Sequence, residues 1–211
     1  MPSAAEILES LATIAGSWQT LAVLWHIYFG LFAAAALLGW RPPSRLASAL
    51  LIPPVASVGV LAWMHGNPFN GTLFGVLSVA LIALHRSMSV RPIMLASPFL
   101  IVLGAFLFGF GWTYPHFLEE EPGLAYLYAA PLGLIPCPTL SVVVGIATLF
   151  RGLGSRAWSL VLSLVALFYG LFGSLYLGVT IDWILAGGGV TLFVLVMQQP
   201  LRTLTQVSSR R

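Results

Sequence analysis

Apolar residues fill this chain in seven blocks, roughly 18 to 40, 46 to 64, 69 to 85, 92 to 113, 124 to 150, 157 to 178 and 183 to 199, separated by short polar connections. Each block is near the twenty residues a helix needs to cross about 30 Å of hydrocarbon. Backbone groups facing lipid find partners only within a helix or a closed barrel. The expected fold is therefore an all-α integral membrane protein with seven transmembrane helices. Ahead of the first block, Ile7, Leu8, Leu11 and Ile14 recur at helical spacing beside Glu6, Glu9 and Ser10, which predicts an amphipathic helix on the outer surface over residues 1–17. The transmembrane domain would then span 18–199, with a cytoplasmic tail over 200–211.

Charge gives this threading a direction. Every basic residue is an arginine: Arg41, Arg45, Arg86, Arg91, Arg151, Arg156, Arg202, Arg210 and Arg211. Threaded as seven spans, all of these fall on one side, and Glu6, Glu9, Glu119, Glu120, Glu121 and Asp182 fall on the other. Positive residues between spans stay in the cytoplasm, so the amino terminus is expected outside and the carboxyl terminus inside. Six of the seven tryptophans lie at block ends, where the indole favours the headgroup layer. A composition of 59% hydrophobic and 7% charged residues excludes a soluble globule. The net charge of +3 follows from the arginine pattern, so nucleic acid is not an expected partner, and the bilayer is. The single cysteine, Cys137, excludes an internal disulfide framework and any two-cysteine metal motif.

Three segments depart from plain helix, and all lie in the outer half. The strongest is Pro131-Leu132-Gly133-Leu134-Ile135-Pro136-Cys137-Pro138-Thr139. Each proline removes a backbone donor and crowds the carbonyl four residues earlier, so groups at Leu127, Leu132 and Leu134 need other partners. The fifth helix is expected to be broken by these prolines, with a restart at Pro138 that places Cys137 near a helix N-terminus. The second is Asn67-Pro68-Phe69-Asn70, which is expected to dip below the headgroups before a short third span. The third is Gly187-Gly188-Gly189, where a helix can admit a neighbouring backbone or a ligand. The Pro53-Pro54 pair reads as an ordinary kink. Gly170, Ser174 and Gly178, spaced by four, would permit close helix approach.

His26 is the one histidine well inside a block, and counting along ideal helices puts it and Cys137 both about 12 Å below the outer edge. Intramembrane ionisable groups are costly and face the bundle interior, so the two could meet in a site, or His26 could donate a hydrogen bond to a freed carbonyl on a broken neighbouring helix and serve structure alone. Gln19, Tyr28, Thr139 and Tyr169 would complete a pocket with Pro138 and the backbone of Gly187 and Gly188. No carboxylate falls inside a span on this reading. If the solute were a metal ion, His26, Cys137, His65 and His116 are the candidate ligands, with Met64 beside His65, and such a set favours a soft or borderline ion.

Tyr114-Pro115, Asn67-Pro68 and the run Gly133-Leu134-Ile135-Pro136-Cys137-Pro138-Thr139 resemble a family of bacterial multi-spanning membrane proteins of uncharacterised function. The resemblance covers nearly the whole chain, and Pro-Cys-Pro-Thr is its most specific part. It implies a multi-pass protein of the bacterial inner membrane and brings no activity with it.

Three classes of function remain. The first is a binding or transport protein for a small solute or a soft metal ion, with a pocket open to the outer face. The second is an accessory or scaffold subunit that serves a membrane-protein partner. The third is a haem or thiol-redox membrane protein, which would need a second buried histidine or a second cysteine. No nucleophile, base and orienter set for an enzyme stands out, and no cofactor is specified.

Overall fold

A computed structural model describes residues 3–117 and 123–198. Glu119, Glu120, Glu121, Arg202, Arg210, Arg211 and the expected tail lie outside these residues. The described chain forms eight α-helices: α1 (Ala4–Ser17), α2 (Gln19–Leu37), α3 (Ser44–Met64), α4 (Pro68–His85), α5 (Pro98–Trp112), α6 (Pro136–Leu149), α7 (Arg156–Leu171) and α8 (Trp183–Met197). The fold is all-α. Five helical segments are long and apolar enough to cross a membrane: α2, α3, α4, α7 with its continuation to Tyr176, and Thr180–Met197. The expected seven are met only to that extent, because α5 and α6 are apolar but just 15 and 14 residues long.

The shortfall in α6 has a physical cause. Pro131 and Pro136 stop a helix from running through 128–135, so the chain there is irregular and almost wholly buried. Non-helical backbone at membrane depth is tolerated where protein surrounds it. The freed carbonyl of Leu127 is met by the indole N–H of Trp112 at 2.8 Å. A matching repair occurs in α3, where Pro54 deprives the Leu50 carbonyl of its helical donor and the Tyr28 hydroxyl donates to it at 2.7 Å.

α6 is the central helix, with nearly every residue from Pro136 to Thr148 buried. It runs antiparallel to α5 at close range: a Cβ on Gly104 would meet the Gly145 carbonyl, and a Cβ on Gly145 the Gly104 carbonyl. α7 and α8 pair similarly, with Gly170 against Ala186 and Gly189 against Leu167. Gly178, grouped with Gly170 by spacing, instead has φ +75° in the connection beyond α7 and contacts nothing through a notional Cβ. Trp158, expected at the headgroup layer, is fully buried in the main hydrophobic core.

Alternate connections are tied together at one end of the bundle. Ser44 N–H donates to the Arg91 carbonyl at 2.9 Å, Ile93 N–H to Pro42 at 2.9 Å and Ala96 N–H to Leu149 at 2.9 Å. These connections carry the described arginines, whereas Glu6, Glu9 and Asp182 belong to the opposite end. There α1 begins with a capping box, Ser3 Oγ accepting from Glu6 N–H while Glu6 accepts from Ser3 N–H at 2.7 Å. The Ser3 N–H holds the Glu6 carboxyl below the usual range for glutamate. Ile7, Leu11 and Ile14 bury one face of α1 against Ala22, Leu61, Leu134 and Ile135, as the amphipathic pattern requires.

Candidate functional site

The site forms where α6 begins. Ile135 is extended and caps the helix, followed by Pro136, Cys137 and Pro138. A helix start leaves its first four N–H groups without intrahelical acceptors, a heavy cost in a buried place. Here the Ile135 N–H reaches the Pro131 carbonyl at 3.3 Å, and two of the other three positions are prolines that have no N–H. Only the Cys137 N–H is left over, so this sequence can open a helix inside the bundle where most could not. Thr139 secures the turn: its hydroxyl accepts from Gly133 N–H at 2.9 Å and donates to the Ile135 carbonyl at 2.7 Å. Thr139→Val keeps the shape but strands that amide, and it is expected to cost about 1–3 kcal/mol in unfolding measurements on detergent-solubilised protein.

Cys137 faces Asp182. Its thiol donates to Asp182 Oδ2 at 3.0 Å, and the Tyr114 hydroxyl donates to Oδ1 at 2.7 Å. Asp182 is 1% exposed, which corrects the expectation that no carboxylate lies in the interior. It stands immediately before α8, where an aspartate ordinarily caps the helix, yet its side chain makes no capping bond and turns inward. Space for it comes from Gly173, in a π-helical turn over Phe172–Tyr176 closed by Leu177 N–H to the Phe172 carbonyl at 3.1 Å. Any Cβ at Gly173 would overlap Asp182 Oδ2. Such π turns insert one residue into a helix and recur at functional sites.

A second pair lies beside the first. The Tyr169 hydroxyl donates to Asn70 Oδ1 at 2.9 Å, and Asn70 N–H donates to Asn67 Oδ1 at 3.1 Å at the start of α4. Asn67 and Asn70 are buried, and Pro68 opens α4 at its N1 position, so the segment caps a helix within the bundle. Asn70, Tyr114, Cys137, Tyr169 and Asp182 together line a cavity of about 20 Å³, room for about one water molecule. Leu8 and Leu11 of α1 close over it. His116 lies close enough to act electrostatically on the Asp182 carboxylate.

The remaining expected site residues go elsewhere. His26 does not reach Cys137: its Nδ1 is 2.8 Å from the Ala22 carbonyl and its Nε2 3.0 Å from the Trp112 carbonyl, with the ring edge-on to Trp112. This arrangement ties α2 to the end of α5. Tyr28 is spent on Leu50. The Pro138 carbonyl packs against Gly111 rather than lining the cavity. Gly188 is pressed against Leu107 and Gly189 against Leu167, while Gly187 meets nothing within 4 Å, so the triple glycine serves helix packing. His65 Nε2 accepts from the Trp18 indole at 2.9 Å. His26, Cys137, His65 and His116 are therefore not gathered, and the described residues hold no cluster of three metal-ligating side chains.

Compared with family models, with curated proteins and with solved structures, the chain matches none.

Proposed function

We propose that this chain is a membrane binding or transport protein for a small cationic solute, held at Asp182 with Cys137, Tyr114 and Asn70 around it. The observation that carries the reading is a buried carboxylate whose hydrogen-bond donors are a neutral phenol and a neutral thiol. A buried negative charge is costly until it is paired, so a small cation beside it relieves that cost. The adjoining cavity admits an ion about the size of water. Seven traverses of a bacterial inner membrane, amino terminus outside, put the cavity on the outer side beneath α1, which must shift for a solute to pass.

The test is ligand stabilisation, since a ligand that binds only the folded state raises the unfolding temperature by mass action. Purified protein in lipid nanodiscs is titrated with sodium, potassium, ammonium, silver(I) and zinc(II). One of these should stabilise the wild type and fail to stabilise Asp182→Asn, which keeps an acceptor but no charge. Cys137→Ser then separates soft ions, whose effect it removes, from hard ones, whose effect it leaves. No stabilisation of the wild type by any of the five, or equal stabilisation of Asp182→Asn, would sink the proposal.

A further inference from the structure

The cavity beneath α1 has a bias in its hydrogen bonding that narrows the choice of solute. Three of its side chains carry a hydroxyl or thiol hydrogen, and each is already committed: Tyr114 donates to Asp182 Oδ1 at 2.7 Å, Cys137 to Asp182 Oδ2 at 3.0 Å and Tyr169 to Asn70 Oδ1 at 2.9 Å. What these groups keep for a guest is lone pairs. We infer that the solute is the ammonium ion, bound by hydrogen bonds from its own N–H groups to Asp182, Asn70 and the tyrosine oxygens. This rests on the cation reading above and selects one member of that class.

Other guests each fail on one count. An anion meets the Asp182 carboxylate, and no arginine or lysine lines the cavity. Water brings lone pairs as well as hydrogens, and the hydroxyl and thiol groups have no hydrogen left for them. A soft metal ion takes a thiolate, whereas the Cys137 thiol keeps its proton in the bond to Asp182. A hard metal ion trades its hydration shell for a ring of oxygens, about six or more. The lining side chains supply fewer, one each from Asn70, Tyr114 and Tyr169 and the pair on Asp182. Ammonium carries N–H donors and no lone pair, so acceptors alone satisfy it. The wall also includes the rings of Tyr114, Phe117, Tyr169 and Phe172, and aromatic rings attract ammonium-type cations. Size sets the upper limit: a cavity of about 20 Å³ admits ammonium bare and leaves no place for an added methyl group.

The test uses the full chain in lipid nanodiscs, with the unfolding temperature read against ammonium, methylammonium, sodium, potassium and silver(I) at equal ionic strength. Ammonium should stabilise the wild type and bind about tenfold tighter than potassium, the gain from one hydrogen bond to a charged group. Methylammonium should have no effect. In Leu8→Ala, which removes part of the wall that α1 contributes, methylammonium should gain an effect while ammonium keeps its own. Potassium equal to ammonium, methylammonium stabilising the wild type, or Leu8→Ala still excluding methylammonium overturns the inference. If sodium, potassium or silver(I) acts through Asp182 and ammonium does not, this inference fails alone and the cation reading stands. Silence from every probe takes both down together.

Discussion

Asp182→Ala should be among the most destabilising single substitutions in this protein, costing about 2–4 kcal/mol, because the Tyr114 hydroxyl and the Cys137 thiol each lose their buried acceptor. Asp182→Asn should fall between it and the wild type, since the amide oxygen can still accept from one donor while its NH₂ opposes the other. The measurement is unfolding of purified protein by titration from mild into denaturing detergent. The order wild type, Asn, Ala follows from the two donors; an alanine variant as stable as the wild type would mean that the carboxylate is not their anchor. Gly173→Ala tests the same contact from the other side, because its Cβ would occupy the position of Asp182 Oδ2.

Gly133→Val is expected to rival that loss for a different reason. Gly133 has φ +74°, a region that costs an L-residue about 1–2 kcal/mol, and its notional Cβ overlaps the Trp25 indole. Overpacking adds about 1–3 kcal/mol where the neighbour cannot retreat, and Trp25 is held by its N–H to Ser57 Oγ at 3.3 Å. The same unfolding titration reads the total. With Trp25→Ala in the background, the overlap vanishes and only the backbone cost should remain. If Gly133→Val costs as much in that background as alone, the clash plays no part.

What the sequence disclosed was whatever proline, charge and periodicity determine locally. The break before Cys137 and the stranded Leu127 carbonyl follow from single prolines, and both are present. The apolar stripe of α1 is a matter of spacing and needs no tertiary information. Asp182 escaped because an aspartate ahead of a helix ordinarily reads as a cap, and nothing local says that its side chain turns inward. The π turn that makes room for it depends on Gly173 meeting Asp182, a tertiary contact. The pairing of His26 with Cys137 failed because residue counting fixes depth along a helix and leaves its azimuth undetermined. His26 shares that depth with the Trp112 carbonyl, which is where its ring went. The glycines at 187–189 were legible as a weak point in a helix, but whether a helix or a ligand fills such a place is decided by the neighbour.

The docking of α1 has a consequence for how the protein is made. Its buried face rests on Leu61, Leu134 and Ile135, and Phe172 and Leu177 pack against the same cluster. The last of these lies 160 residues beyond the end of α1. Synthesis runs from the amino end to the carboxyl end, so α1 is made well before the segments it rests on and must wait for them. The lining of the cavity is thus completed late, although α1, which closes it, is made early.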